Sequence, residues 1–143
     1  MHVRSILDSK GRKTFTEQAG TPLHTAAKLM AKHRIGSLVI VDAGGSVVGI
    51  LSERDIVHAV AEGGGASLDQ PIASAMSSPV ATCDEADTVD ALMSEMTERR
   101  VRHLPVVDGK RLVGMISIGD VVKHRIEEIE REAESMREYI AMA

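Results

Sequence analysis

The sequence predicts an α+β fold in which two βαββα repeats pack face to face about a pseudo-twofold axis, followed by a C-terminal helical extension. Three observations lead to this prediction: an internal repeat, apolar residues at helical spacing, and paired β-branched runs joined by turns that contain glycine. The chain has 143 residues, which is typical of one domain or of two small halves folded as one unit. A chain of this length buries enough surface to fold without disulfide or metal.

The internal repeat has an offset of 66 residues in one block and 65 in the next. The run LVIVD at 38–42 matches LPVVD at 104–108, and VGILSERD at 48–55 matches VGMISIGD at 113–120. The change of offset indicates that one residue was gained or lost in the connector between the two blocks. Both connectors carry the glycine that a tight hairpin needs.

Each repeat follows one plan of an extended piece, a helix, a hairpin and a second helix. The extended pieces are expected at residues 13–16 and 79–82, and the first helices at 21–33 and 87–99. In those helices, apolar residues recur at the three-and-four spacing of one face. They are Leu23, Ala26, Ala27 and Met30 in one repeat and Val89, Leu92, Met93 and Met96 in the other.

This plan divides the chain into four parts. The first repeat is expected at residues 1–62 and the second at 72–124. A glycine-rich stretch at 63–71 is typical of a linker, and residues 125–143 form the predicted C-terminal helix extension.

Composition and charge exclude several classes of partner. Phe15 and Tyr139 are the only aromatic residues, so an aromatic platform for single-stranded nucleic acid is excluded. A net charge of −4 has the wrong sign for binding a polyanion over the whole surface. The chain contains no apolar run of the roughly 20 residues that cross a bilayer. We therefore expect neither nucleic acid nor membrane as a partner, and a cytoplasmic location.

The motifs GILSERD (49–55) and GMISIGD (114–120) contain the main candidate ligand-binding residues. Gly49 and Gly114 allow a backbone or a ligand to approach the strand closely. The serine of each motif ends a strand and can cap the following helix, and the aspartate three residues later completes a capping box. These four residues are Ser52, Asp55, Ser117 and Asp120. Capping alone would explain them, but two copies at helix N-termini also suit a ligand with phosphate and ribose groups.

A basic segment, RRVRHLPVVD at 99–108, precedes the second hairpin. Such a run can simply be a solvated face. In a strand, however, Arg102 and His103 point to opposite faces, so at least one is directed inward. A half-buried cation needs an anionic partner, and a bound phosphate would serve.

The doubled pattern of L-P-V-V-D followed by V-G-h-h-S-x-x-D, where h is an apolar residue, resembles a tandem pair of cystathionine-β-synthase (CBS) domains, a Bateman module. The resemblance covers roughly residues 2–125. It implies a stand-alone regulatory protein rather than an enzyme. Such a protein binds an adenosine-containing ligand, AMP, ADP, ATP or NAD, in inter-domain clefts and signals occupancy, as in energy sensing, through a homodimer.

The resemblance also implies roles for individual residues, none of them catalytic. Asp55 and Asp120 would bind the ribose hydroxyls, with Ser52 and Ser117 at ribose or phosphate. Arg54, Arg102 and His103 would contact phosphate. Backbone groups around Thr14, Thr16, Val80 and Thr82 would hold the adenine.

The two copies are not identical. Gly36 and Ser37 stand where the second repeat has Arg102 and His103, and Gly119 stands where the first has Arg54. The two clefts are therefore expected to differ in charge and need not bind equally.

After Asp120 an apolar stripe continues beyond the repeat. Its members, at spacings of four and three, are Val122, Ile126, Ile129, Ala133, Met136 and Ile140. The stripe either packs back on its own module or, as we favour, pairs with the same helix of a second subunit. The alternative function is an assembly module with vestigial clefts, in which this helix recruits an effector protein.

Metal binding and hydrolytic catalysis have little support in the sequence. The six histidines show no clustering typical of metal ligands, and Cys83 has no second cysteine beside it. No nucleophile elbow accompanies the Ser, His and Asp residues. We therefore predict no metal site and no catalytic residues.

Overall fold

The structure, a computed structural model, describes residues 1–142 and confirms the α+β fold with its C-terminal helix. The helices are α1 (Val3–Lys10), α2 (Leu23–His33), α3 (Glu53–Gly63), α4 (Val89–Arg99) and α5 (Ile118–Met142). The strands are β1 (Thr16–Glu17), β2 (Ser37–Val41), β3 (Val47–Ser52), β4 (His103–Asp108) and β5 (Arg111–Ser117). Two short 3₁₀ helices, Gly65–Asp69 and Ile72–Ser74, lie in and just after the predicted linker.

Each repeat contains one antiparallel hairpin, β2 with β3 and β4 with β5. Both hairpins carry a register shift at the equivalent place, after Ile40 and after Val106. Their turns use Gly45 and Gly109 at φ of 84° and 66°, a conformation that glycine adopts without steric cost. The shared irregularity shows that the two hairpins are paired in the same register up to their turns.

The leading strand differs between the repeats. In the first repeat β1 runs parallel to β2, and the Val39 N–H donates to the Phe15 carbonyl at 3.4 Å. The second repeat has Pro105 at the position of Val39, and proline has no N–H to donate. The extended piece expected at 79–82 is therefore not a strand, and the parallel pairing is reduced to a single bridge between Cys83 and Val106.

Two hydrophobic cores lie on the inner faces of the hairpins. Leu23, Ala26, Met30, Leu38, Ile40, Leu51 and Ile72 form the first core. Val3, Ile6, Leu7, Cys83, Val89, Leu92, Met96, Leu104, Val106, Ile116 and Val121 form the second. On the opposite face of the hairpins, Val39 and Pro105 are also buried, and a bridge between Ser46 and Arg111 joins the two repeats there.

The cores do not follow the division expected from the order of the chain. Helix α1 lies at the start of the first repeat, yet its residues Val3, Ile6 and Leu7 are buried in the second core. Ile72 is the first residue of the second repeat, yet it is buried in the first core. The core of each repeat is therefore completed by residues from the start of the other repeat.

The two motif glycines make room for these exchanged segments. A Cβ at Gly114 would lie 2.8 Å from Leu7 Cδ2, and one at Gly49 would lie 2.6 Å from Met76 Sδ and 3.2 Å from the Ser77 carbonyl oxygen. Such distances are shorter than van der Waals contact. The close approach expected from the sequence is thus made by the chain itself.

Helix α5 contacts the module only through its beginning. Val121 and His124 are buried, and Arg125 lies 3.3 Å from Asp90 at the start of α4. The apolar stripe faces solvent, and five of its six members are 48% to 67% exposed. Within residues 1–142 the stripe therefore does not pack back on its own module. No helix in this part of the chain is long and apolar enough to span a bilayer.

We predict that Gly114→Ala destabilises the protein by about 1–3 kcal/mol, because the new methyl group must displace Leu7 from a filled core. Urea denaturation followed by circular dichroism measures this change. Gly20→Ala is the matched control, since a Cβ at Gly20 has nothing within 4 Å. Equal free energies of unfolding for the two variants would contradict the prediction.

Candidate functional site

Both S-x-x-D motifs form complete capping boxes. At the end of β3, the Ser52 N–H donates to Asp55 Oδ2 at 2.8 Å, and the Asp55 N–H donates to Ser52 Oγ at 3.2 Å. At the end of β5, the same two bonds join Ser117 and Asp120 at 2.9 and 3.1 Å. The capping role is therefore real in both repeats. It also holds each carboxylate in a fixed orientation at the junction of strand and helix.

A cleft of about 430 Å³ lies where the first repeat's motif faces the second repeat's basic segment. We call it the first cleft. It brings together five of the predicted site residues, Ser52, Arg54, Asp55, Arg102 and His103. Its other lining residues are Gly36, Ser37, Ile50, Glu53, Ser77, Arg100 and Val101. Residues 47 or more positions apart in the chain thus converge on one concave site.

The backbone of the basic segment is held at both ends. Helix α4 ends at Arg99, and Arg100 turns the chain with a left-handed φ of 55°. The Ile118 N–H at the start of α5 donates to the Arg102 carbonyl at 2.8 Å. In the first repeat the equivalent bond is donated by the Glu53 N–H to the Gly36 carbonyl at 3.0 Å. The amides of Glu53 and Asp55 are therefore already bonded within the chain, and an anion in the first cleft would not find them free.

The first cleft holds more positive than negative charge. Arg54, Arg100 and Arg102 line it, and none of them forms an ion pair with another of residues 1–142. The carboxylates of Glu53 and Asp55 also line it. This excess of arginine in a chain of net charge −4 provides a local site for an anion.

His103 contributes a neutral imidazole at pH 7. Burial lowers its pKa, and the nearby cations Lys10 and Arg102 lower it further against the opposing effect of Asp120. A neutral imidazole can both donate and accept a hydrogen bond. The charge of the first cleft at neutral pH therefore comes from its arginines and carboxylates.

Lys10 of α1 forms an ion pair with the aspartate of the second motif. The Lys10 ammonium lies 2.6 Å from Asp120 Oδ2 and also donates to the Met115 carbonyl at 2.9 Å. Burial alone would raise the pKa of Asp120, but the bonds from Lys10 and from Ser117 outweigh it and lower the pKa. Asp55 has no such cation, and among residues 1–142 its only side-chain bond is the capping bond from Ser52. The two motifs are alike in backbone and different in charge.

The residues expected at the adenine do not line the first cleft. The Thr14 hydroxyl donates to the Arg12 carbonyl at 3.3 Å, and Thr16 is exposed in β1. Val80 is half-buried, and Thr82 lines a separate cavity of about 260 Å³ beside Cys83. Burial raises the pKa of Cys83 to about 12, so this thiol is an inert part of the core. The role of these four residues stays a prediction.

Two residues near the motif aspartates were not identified from the sequence. Arg100 lines the first cleft, and its place in the basic segment 99–108 is the sequence signal that could have found it. Lys10 had no such signal. It lies in α1 at the start of the first repeat, and only the exchange of segments brings it to Asp120.

Comparisons with known proteins agree with this architecture. A CBS domain family model matches the chain twice, at residues 11–62 and 72–127. A crystal structure of a CBS-domain-containing protein from Agrobacterium tumefaciens is 47% identical with a TM-score of 0.82, and the match covers 87% of this chain and 92% of that one.

Two solved relatives contain adenosine compounds. A CBS domain protein from Pyrobaculum aerophilum, complexed with AMP, is 29% identical with a TM-score of 0.75, covering 84% of this chain and 89% of that one. A CBS domain pair in complex with 5′-methylthioadenosine and S-adenosyl-L-methionine is 29% identical with a TM-score of 0.80, covering 90% of this chain and 98% of that one.

Several curated relatives are longer than this chain. A mitochondrial CBS-domain-containing protein of Arabidopsis thaliana is 33% identical over 122 residues, which are 82% of this chain and 59% of the relative. Two further relatives are spanned over 66% and 64% of their length. One relative is named as an enzyme, the L-aspartate semialdehyde sulfurtransferase of Methanocaldococcus jannaschii. It is 31% identical over 117 residues, which are 81% of this chain and 22% of the relative.

We predict that the Lys10–Asp120 pair stabilises the fold in a pH-dependent way. A carboxylate whose pKa is lowered by folding contributes stability above its unfolded pKa of about 3.9, and this contribution is lost as the pH falls through the folded pKa. Lys10→Met should therefore lower the free energy of unfolding at neutral pH by about 0.5–1 kcal/mol, a small amount because the pair is partly exposed to solvent. At about pH 2.5 the free energies of unfolding of the variant and the wild type should lie closer together.

Urea denaturation at both pH values measures this difference. Lys28→Met is the control, because Lys28 is exposed and forms no ion pair within residues 1–142. A cost of Lys10→Met that is the same at both pH values would show that Asp120 does not depend on Lys10.

Proposed function

This chain belongs to the CBS-domain family, and we propose that it is a regulatory module that binds an adenosine-containing nucleotide in the first cleft and signals occupancy through a homodimer. The candidate ligands are AMP, ADP, ATP and NAD, and the module would act in energy sensing. The observation that carries the proposal is the convergence of Asp55 and three arginines on one cleft between the repeats, where none of the arginines has an ion-pair partner among residues 1–142.

The chemistry of the first cleft suits the two ends of a nucleotide. A carboxylate accepts two hydrogen bonds from a vicinal diol, and the capping box holds Asp55 still for this purpose. Arg54, Arg100 and Arg102 can donate to phosphate oxygens in the planar geometry that guanidinium groups favour. The volume of about 430 Å³ lies within the range of roughly 300–1,000 Å³ typical of small-molecule sites.

The charge of the first cleft favours a nucleotide over a sulfonium compound. The two solved relatives share adenosine in their ligands, but AMP carries a phosphate whereas S-adenosyl-L-methionine carries a sulfonium cation. Three arginines attract the first and repel the second. We therefore place the phosphate-bearing ligands first.

The two clefts should not bind equally. A ribose at Asp120 would have to compete with the Lys10 ammonium at 2.6 Å, and Gly119 offers no guanidinium where the first cleft has Arg54. We propose that the first cleft is the primary site and that the second binds more weakly or stays empty.

The alternative function is an assembly module with vestigial clefts, and the exposed stripe of α5 favours it. In that case α5 recruits an effector protein and no adenosine ligand binds. A non-enzymatic role and a cytoplasmic location remain predictions of the sequence. Nucleotide titration separates the two functions, because only the sensor requires binding.

We predict that Asp55→Ala weakens AMP binding by about 10- to 100-fold, since hydrogen bonds to a charged acceptor contribute about 1.5–3 kcal/mol. Isothermal titration calorimetry on protein stripped of bound nucleotide measures the affinity. Asp120→Ala is the matched control. Each change removes one capping box and costs about 0.5–2 kcal/mol of stability, but only Asp55→Ala should weaken binding strongly.

Three outcomes would count against this proposal. No heat with AMP, ADP, ATP or NAD on the wild-type protein would favour the assembly function. Equal losses of affinity in the two variants would overturn the preference for the first cleft. Full affinity in Asp55→Ala would overturn the role of this carboxylate.

A further inference from the structure

The apolar stripe of α5 is a surface without a partner. We call Val122, Ile126, Ile129, Ala133, Met136 and Ile140 the α5 seam. Ala133 is half-buried and the other five are 48% to 67% exposed. Single exposed aliphatic residues are common, but a continuous row of them along one helix face marks an interaction surface.

The module itself uses a different face of the same helix. Val121 and His124 point into the second core, and at roughly 100° per residue they lie well away from the seam. The Arg125–Asp90 pair fixes the base of α5 against α4. The seam is therefore presented outward on a helix whose first turns are anchored.

The spacing of the seam is that of a coiled coil. Steps of four and three residues place Ile126, Ala133 and Ile140 at the first core position of the heptad and Val122, Ile129 and Met136 at the second. The charged residues that flank such a seam decide which partner and which direction are allowed. On one side these are Arg125 and Glu132, and on the other Lys123, Glu130 and Arg137.

A parallel pair of identical helices would bring opposite charges together. In that geometry a residue on one flank meets the residue five positions later on the opposite flank of the partner helix. Glu132 then meets Arg137 of the partner subunit. Arg125, whose Nη1 already lies near Asp90 and Glu128 of its own chain, meets Glu130 of the partner subunit through its remaining guanidinium donors. By symmetry each contact occurs twice, and all four contacts are attractive.

An antiparallel pair would bring like charges together. The register that matches the seam pairs Ile126 with Met136 and Ile129 with Ala133. Glu130 and Glu132 then each meet their own copies, and Lys123 meets Arg137. All of these contacts are repulsive.

We propose that two copies of this chain pair through a parallel, in-register coiled coil over residues 122–140. This inference rests on the homodimer of the proposed function and specifies its interface. The seam is under three heptads long, which is short for isolated helices. Here the helix grows from a folded module and is capped by Ser117 and Asp120, so its nucleation is already complete.

Charge reversal tests the direction of the pair. We expect the full-length wild type to be dimeric by analytical ultracentrifugation. Arg137→Glu should weaken the dimer by about tenfold, because two attractive contacts become repulsive, and adding Glu132→Arg should restore it. In an antiparallel pair, Arg137→Glu would instead face Lys123 and tighten the dimer. Tightening, or a wild-type protein that is monomeric at 100 μM, would overturn the proposal.

Cross-linking gives an independent test. With oxidised glutathione as the oxidant, Met136→Cys should form an intersubunit disulfide, since equivalent core positions face each other in a parallel pair. Arg131→Cys, on the outer face of the helix, is the control and should not cross-link. Cys83 is buried and inert. Preferential cross-linking of Ile126→Cys to Met136→Cys in a mixture would indicate the antiparallel pair and overturn the proposal.

Ligand binding separates a failure of this inference from a failure of the proposed function. The α5 seam lies outside the first cleft, so Arg137→Glu should bind AMP as the wild type does. A dimer that binds no adenosine ligand would overturn the sensor function and leave the coiled coil intact. A monomer that binds AMP would overturn the coiled coil and the homodimer signalling but leave nucleotide binding in the first cleft intact.

Discussion

Each repeat packs its first residues into the core of the other repeat, and the rest of the structure depends on this exchange. Helix α1 completes the second core, and residues 72–77 complete the first core and its edge. This packing is possible only because Gly49 and Gly114 lack a side chain at the two points of closest approach. Neither repeat has a complete core without the other's leading segment, so the two halves are fixed relative to each other. The cleft between them is a consequence of that fixed arrangement.

The same exchange makes two similar motifs electrostatically different. The exchange brings Lys10 to Asp120 in the second repeat and Met76 to Gly49 in the first. Asp120 is thereby paired with a cation, while Asp55 has no ion-pair partner within residues 1–142. The clefts are also linked, because His103 lines the first cleft and its pKa responds to Asp120 and Lys10. Asp120 in turn lies in the first turn of α5, the helix that carries the exposed seam. His103 also pairs with Ser117 between β4 and β5, and Ser117 bonds to Asp120, so paired residues connect the first cleft to the start of the helix that carries the seam.

Much of the fold was predictable because its signals are local. The 66-residue repeat, the helical spacing of α2 and α4, and the glycine turns at Gly45 and Gly109 depend on residues close together in the chain. The capping boxes at Ser52 and Ser117 were predictable for the same reason. The leading strand of the second repeat was not, since its loss depends on Pro105, which lies in a different strand and cannot donate the bond that Val39 donates.

The sequence by itself determined the doubled α+β plan, the Ser and Asp residues at each strand end, and the apolar seam of α5, because periodicity and capping act over a few residues. Only the tertiary structure decided which residues meet across the repeats. Arg100 and Asp55 line the same cleft, and Lys10 forms an ion pair with Asp120, through contacts between distant segments. Such contacts depend on how whole helices and strands pack against one another, and this packing cannot be inferred from the pattern of residues that are neighbours in the sequence.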